Sequence, residues 1–305
     1  MKKIYPITDD FIDARLDRWF KKKIFNIPQS YIEKNLRKGK IKVNDKKVKS
    51  AYKLKINDSV TIFDLIFLPD KNKKIIKKYI PNKNELSKSS EMFIENNDDF
   101  VVINKPAGIA VQSGTKSLKN ILDILQKTNE FKNSSPFAVH RIDKETTGIL
   151  IVAKNRKYAQ LFTSLFRIRK IHKTYLGIVI GDFEEKKGTF VDDLIYYEGK
   201  KKTILKAITH YNVIDSSSNY SLLKLSPVTG RKHQLRKQLL LHGHPILGDS
   251  KYSFLDRKVN KKNFLMLHAH KINFSIDSVK YNFFAEPSLD FKKILKEKNL
   301  KIFSR

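Results

Sequence analysis

Hydrophobic and polar positions change texture twice along the chain. Leu16, Trp19 and Phe20 fall at the i, i+3, i+4 spacing of an amphipathic helix within residues 13–20. Pro28-Gln29-Ser30 predicts the start of a second helix, with Ser30 as N-cap, Ile32 and Leu36 on the apolar face and Gly39 as the stop. Ile41-Lys42-Val43 alternates like a strand, Asn44-Asp45 and Asn57-Asp58 read as turns, and Val60-Thr61-Ile62 as a second strand. Residues 13–63 therefore make a small unit of two helices and a hairpin. Residues 64–90 show little periodicity and are rich in lysine and polar side chains, which predicts a basic linker. From Met92 onward apolar, strand-like runs dominate, at 100–103, 148–152, 175–180 and 220–225, with helical stretches near 118–128, 156–168 and 231–242. Residues 91–305 read as one α+β domain.

Composition adds an electrostatic constraint. The 305 residues carry 62 Lys and Arg against 31 Asp and Glu, a net charge of +31 that draws polyanions and points to nucleic acid. A genome rich in A and T would also raise Lys, Ile and Asn, and 51 of the 62 are Lys. Position favours a functional cause: residues 1–90 hold 24 basic and 10 acidic side chains, about twice the net charge per residue of the remainder. No cysteine is present, which excludes disulfides, thiolate zinc sites, iron–sulfur clusters and cysteine nucleophiles. No apolar run approaches the ~18 to 20 residues of a membrane span. The Met1-Lys2-Lys3-Ile4 start lacks a signal-peptide core, so a cytoplasmic protein without a membrane partner is expected.

Three segments of the second domain crowd polar side chains into apolar surroundings. Lys105-Pro106-Ala107-Gly108 follows a predicted strand and, alone, reads as a rigid turn. The loop His140-Arg141-Ile142-Asp143-Lys144-Glu145-Thr146-Thr147-Gly148 precedes the strand at 148–152. An acidic residue beside an arginine on such a loop suits a reactive carboxylate, because the loop leaves it accessible and a positive charge favours the anion. The plainer alternative is that Asp143 caps a turn or pairs with Arg141. Thr229-Gly230 then leads into a helix start carrying Arg231, His233, Gln234 and Arg236, donors suited to phosphate or carboxylate partners.

Together these segments resemble the RluA/RluC/RluD family of ribosomal RNA pseudouridine synthases, whose hallmarks are a His-Arg-Leu-Asp-x-x-Thr-Ser-Gly loop and a Thr-Gly-Arg-x-His-Gln-Leu-Arg helix start. Arg15-Leu16-Asp17 and Leu36-Arg37-Lys38-Gly39 resemble the signature of the S4 RNA-binding module. The match runs from about residue 13 to 290 and looks more like the C-type than the D-type branch. The resemblance implies a small S4-like RNA-binding domain followed by a large mixed, mainly antiparallel sheet with flanking helices. It implies Asp143 as the catalytic aspartate, Arg141 filling the gap left by a swung-out nucleotide, and Tyr175 stacking on uracil and a candidate base. It also implies Arg236 paired with the aspartate and Leu225 lining the pocket floor. Arg231, His233 and Gln234 are then substrate-binding candidates, and Arg15, Arg37, Lys38, Lys40 and Lys42 RNA-binding candidates. The departures are Ile142 for Leu, Thr147 for Ser, Gln238 for His and Ser253 for Gly, of which Gln238 is expected to change a contact to RNA.

The implied chemistry suits these residue types. Uridine becomes pseudouridine by breaking an N-glycosidic bond, turning the freed uracil and joining a ring carbon to the same sugar carbon. A carboxylate can stabilise or trap the sugar. Carbon deprotonation needs a base, for which Tyr175 or Asp143 can be argued. The resemblance implies no cofactor and no metal. His242-x-His244 and His268-x-His270, with Asp249 nearby, are better read as hydrogen-bonding residues than as ligands. The expected partner is large-subunit ribosomal RNA and the expected state a monomer. Two rivals are a non-catalytic RNA-binding factor built on the S4-like unit, which would not need the second domain, and a nucleoside glycosidase, which would release free uracil and has no use for the charge.

Overall fold

The computed structural model describes residues 2–8, 11–24, 27–64, 79–113, 117–199, 201–254 and 264–302. The chain divides into two compact units, residues 1–76 and 77–305. In the first, β1 (Lys2–Pro6) is followed by α1 (Leu16–Lys23), α2 (Gln29–Arg37), β2 (Ile41–Val43) and β3 (Ser59–Phe63). The strands form one antiparallel sheet in the order β1-β3-β2. Leu16, Trp19 and Phe20 of α1 and Ile32 and Leu36 of α2 are buried against Ile41, Val43, Val60 and Ile62, as their spacing requires. Two details differ from the sequence reading. The N-cap of α2 is Pro28, whose carbonyl accepts from Tyr31 and Ile32, so Ser30 lies exposed inside the first turn. The unit also begins earlier than residue 13, because β1 adds an edge strand whose exposed lysines give it no alternating signal.

The expected linker at 64–90 lies outside the described residues over 65–78. Its last part is a correction: α3 (Lys83–Ser89) is a helix of the second unit. A capping box starts it, with the Asn82 side chain accepting from the Glu85 amide and the Glu85 carboxylate accepting from the Asn82 amide, both at 2.9 Å. Glu85 also pairs with Lys119.

The second unit continues with β4 (Phe93–Asn96), β5 (Phe100–Lys105), α4 (Ile121–Leu125), β6 (Phe137–Ala138), β7 (Thr147–Ala153) and α5 (Arg156–Arg167). Then come β8 (His172–Ile180), β9 (Lys187–Glu198), β10 (Lys201–Ser217), β11 (Tyr220–Pro227), α6 (Gln234–Leu241), β12 (Leu267–Ile276), β13 (Val279–Phe284) and α7 (Leu289–Glu297). The ten strands form one sheet along the path β4-β5-β7-β12-β8-β11-β10-β9, with β6 beside β7 and β13 beside β12. Every pairing is antiparallel except β7 with β12, so the sheet is mixed and mainly antiparallel, as expected. Strand β7 is buried along its whole length, which explains its unbroken apolar run. One face of it packs with α4 and Phe131, the other with Phe162 of α5. Among the described residues no helix is long and apolar enough to cross a membrane.

The β7–β12 seam leaves no room for a side chain at Gly148. Its φ is +104°, and a Cβ there would stand 2.2 Å from the Ala269 carbonyl oxygen. Beside it the Thr147 hydroxyl meets His268 Nδ1 at 2.8 Å, while His268 Nε2 lies 2.9 Å from the Ala285 carbonyl. Burial pushes the His268 pKa down to about 4. The unfolded chain, with a pKa near 6.5 at this histidine, binds the proton more readily. The contribution is therefore complete above about pH 6.5 and fades as pH falls toward 4, by on the order of 3 kcal/mol. Urea unfolding at pH 7 and pH 4.5 is expected to show this loss, with a shallower slope in His268→Gln; equal slopes in both proteins would reject it.

Candidate active site

Asp143 sits on the loop between β6 and β7, Tyr175 on β8, and Arg236 in the first turn of α6. The loop is braced from beneath. The fully buried Lys105 ammonium reaches the carbonyls of Pro106 (2.7 Å), Ile109 (3.0 Å) and Lys144 (3.1 Å), and Gly108 donates its amide to Lys144 O at 3.0 Å. Burial pushes the Lys105 pKa down to about 7. The Lys105-Pro106-Ala107-Gly108 turn thus serves the Asp143 loop, and the Thr146 amide closes that loop onto the Asp143 carbonyl at 3.2 Å.

The second wall is the turn before α6. The helix begins at Gln234, three residues later than expected, with His233 as N-cap in the left-handed region at φ +54°. Gln234 closes this turn. Its side-chain oxygen accepts from the Arg231 amide (3.0 Å) and the Thr229 hydroxyl (2.7 Å), and its nitrogen donates to Ile208 O and Thr209 Oγ1. Both of its N–H donors are spent on β10. Gln234 therefore builds the wall and has no donor left for substrate, a correction to its expected role.

Arg236 is the hub. Its Nε and Nη2 grip both oxygens of Asp249 at 2.7 Å, and its Nη1 donates to Asp143 Oδ2 at 3.2 Å. Asp249 is fully buried and also accepts the amides of Lys251 and Tyr252 at 2.9 Å. Burial opposes the charge on Arg236, but Asp249 and then Asp143 outweigh it and hold its pKa above the ordinary arginine value. The other oxygen of Asp143 faces His233 Nε2 at 3.7 Å. Burial lowers the His233 pKa against the pull of Asp143, so the ring is neutral at pH 7. Facing a carboxylate, Nε2 carries the proton, which leaves Nδ1 to accept from the Tyr252 hydroxyl at 2.9 Å. The Tyr252 ring in turn lies under the Arg236 guanidinium, 5.1 Å from centroid to Cζ. Asp143 keeps 21% of its side chain open to solvent while Arg236 keeps 8%. One carboxylate is thus offered outward from a buried frame.

Asp143, Tyr175, Arg236, Arg141, Arg231, His233 and Gln234 all line one cleft of about 660 Å³. Seven of its lining residues are Arg or Lys and one, Asp143, is acidic, so the cleft suits an anion and holds one carboxylate. Two expectations need correcting, those for Leu225 and Gln238. Leu225 does not line the cleft: it is fully buried, directly across from Tyr175 on β11, and Leu267 supplies an aliphatic wall instead. The guanidinium on Asp143 is that of Arg236, as the resemblance implies, while its neighbour Arg141 is exposed. Gln238 is fully buried, accepting from Thr209 Oγ1 (2.6 Å) and donating to Asp192 Oδ2 (2.7 Å), so it is placed to order the core and not to touch RNA. The sequence reading missed Lys105 as a brace, Asp249 and Tyr252 as the frame of Arg236, and Lys173. The only signal for Asp249 was an acid set after Gly248 in an apolar stretch.

Tyr175 contacts two core clusters, and burial, with Asp143 nearby, pushes its hydroxyl pKa well above the ordinary phenol value. The His pairs considered as ligands are engaged otherwise. His268 holds the seam, His242 stacks on Phe190 at 4.3 Å and meets Asp192, and His244 stacks on Phe183 at 3.9 Å. Among the described residues no three metal-ligating side chains converge.

The mixed sheet thus carries a single aspartate in a cationic cleft, and comparison with known proteins supplies the class. The sequence profile of RNA pseudouridylate synthases matches residues 99–241. Ribosomal large subunit pseudouridine synthase C of Buchnera aphidicola subsp. Baizongia pistaciae is 32% identical over 308 residues, covering 95% of each chain. The protein of the same name from Rickettsia conorii is 34% identical over 278 residues, 86% of this chain and 89% of the relative. The solved structure of human RNA pseudouridylate synthase domain containing 4 superposes with a TM-score of 0.63 at 26% identity, covering 71% of this chain and 96% of that one. The chain belongs to the RNA pseudouridylate synthase family, and its similarity to C-type enzymes bears out the expected branch.

Proposed function

We propose that the protein isomerises specific uridines of large-subunit ribosomal RNA to pseudouridine, acting on a nucleotide swung out of the RNA, with Asp143 as the catalytic carboxylate. The observation that carries the reading is Asp143 held at the cleft mouth by an arginine that Asp249 locks in place. The name of the bacterial relatives, ribosomal large subunit pseudouridine synthase C, supports the choice of RNA. As the glycosidic bond breaks, positive charge grows on the sugar, and a carboxylate fixed beside it stabilises that charge without reorganising. Tyr175 serves as the stacking wall. Its raised pKa keeps it a neutral phenol, which is a poor base at pH 7. Extruding a base costs a few kcal/mol, and in this reading Arg141, exposed and lining the cleft, fills the vacated stack. Arg231, anchored through Nε to Lys206 O at 3.1 Å, serves the RNA backbone from the opposite wall. The decisive assay incubates the protein with unmodified large-subunit RNA and maps pseudouridine. New sites support the reading, whereas tight binding without product would leave an RNA-binding factor and free uracil would indicate a glycosidase.

The N-terminal unit is read as an S4-like RNA-binding module. Arg37, Lys38 and Lys40 are exposed around the end of α2, and Lys42 and Lys47 reach toward Gly39, whose φ of +69° ends the helix. Cations there also complement the helix dipole. Arg15 differs, since its guanidinium is paired with Asp17 through both Nε and Nη2 and serves chiefly to hold the start of α1. Replacing Arg37, Lys38 and Lys40 together by Ala is expected to weaken RNA binding and to lower the slope of log K against log salt by about 3, one per phosphate contact. A slope unchanged from the parent would mean that these charges are solvated decoration.

A further inference from the structure

Lys173 lies in the same cleft, two residues before Tyr175 on β8, so both side chains leave one face of the strand. Arg141, Arg167, Arg169 and Lys232 of the cleft are exposed and Arg236 is buried, whereas Lys173, like Arg231, is half-buried. Its ammonium reaches the turn before α6, 3.9 Å from where a Cβ of Gly230 would stand. Among the described residues it makes no hydrogen bond and no ion pair, whereas Asp143 is held by Arg236 and faces His233. Burial lowers its pKa. Its charge also helps burial to push the nearby His140 pKa down to about 3. Among the described residues no carboxylate pairs with this cation.

We propose that Lys173 is a catalytic residue that neutralises the uracil anion released when the glycosidic bond breaks. The inference rests on the pseudouridine synthase reading. In that step the C1′–N1 bond breaks and its electron pair stays on uracil, leaving the sugar cationic and the ring anionic. After the ring turns, C5 bonds to C1′, the C5 proton is released and N1 takes one up, so the isomerisation balances. The cleft matches this charge separation, with the carboxylate of Asp143 for the sugar and the ammonium of Lys173, beside the stacking wall, for the base. Depth favours the base over a phosphate, because the backbone stays at the mouth, where the exposed arginines are. The intact uracil is neutral, so the attraction grows only as the bond breaks, which is the condition for lowering the barrier.

The test compares the full-length parent protein with Lys173→Met and Lys173→Arg under single-turnover conditions. The substrates are large-subunit RNA fragments containing uridine or 5-fluorouridine at the target, and the readout is loss of the starting nucleoside. Fluorine makes uracil a better leaving group and so lessens the need for Lys173. Lys173→Met is expected to be slowed on the order of 10²-fold on uridine at saturating RNA. Its RNA affinity should stay within threefold, its deficit should shrink at least fivefold on 5-fluorouridine, and Lys173→Arg should recover much of the rate. Removing an unpaired half-buried charge does not threaten folding, and the affinity measurement reports it. A loss of affinity with an unchanged saturated rate would assign Lys173 to a phosphate and overturn the proposal. So would an equal deficit on both substrates, or no deficit at all. A parent protein that makes no pseudouridine would instead sink the underlying reading.

Discussion

Asp143→Asn is expected to bind large-subunit RNA within about tenfold of the parent affinity and to lose turnover by at least ~10⁴-fold, the scale found when a group acting on the reacting bond is removed. Asparagine has nearly the same volume and can still accept from Arg236 Nη1, so the loop, the cleft and the contacts to RNA persist. Only the negative charge is lost. Pseudouridine counted after incubation with unmodified RNA, beside a binding titration of the same protein, separates the two effects. Turnover preserved in Asp143→Asn would remove this residue from the chemistry, whereas loss of binding and turnover together would mean that the loop had collapsed.

Arg236→Met carries the second large effect, and it falls on stability as well as on rate. Asp249 is wholly buried and both its oxygens lean on that guanidinium, so removing the cation strands a buried charge. The expected loss is about 3 to 5 kcal/mol. Turnover of the molecules that remain folded should fall by on the order of 10²-fold, since Asp143 loses its positioning donor. Adding Asp249→Leu to Arg236→Met removes the stranded charge and should restore much of the stability without restoring the rate. Urea titration and single-turnover kinetics on the single and double variants give both quantities. An Arg236→Met protein as stable as the parent would show that the buried pair is not the frame described above.

The parts of the fold that were legible in the sequence are those where burial is one-sided or complete. The Leu16, Trp19, Phe20 stripe and the continuous run of β7 announce themselves because every apolar residue in them goes inside. The hairpin β9–β10 gave no such signal, since Val191, Ile195 and Ile204 sit on its exposed face and mask the alternation. The α3 helix was missed although Asn82 and Glu85 stand at capping-box spacing, because polar lysines and serines suggested a tether. In the site, Asp143, Tyr175 and Arg236 were visible through their motifs. What could not be seen was that Asp249 is the second carboxylate on Arg236, because no motif marks that pairing. The same holds for Leu225 and Gln238, whose burial depends on strands and side chains far away in the chain.

The parallel junction of β7 and β12 has a consequence for how activity is acquired. Asp143 enters from the strand on one bank of that junction, and Tyr175, Arg236 and Asp249 from the other. The junction is short, two registered pairs, and joins residues about 120 positions apart. Such distant closures come late and slowly during folding. A nascent chain that has completed either bank alone would therefore carry half of the catalytic apparatus and no competence, so onset of turnover would time the last step of maturation.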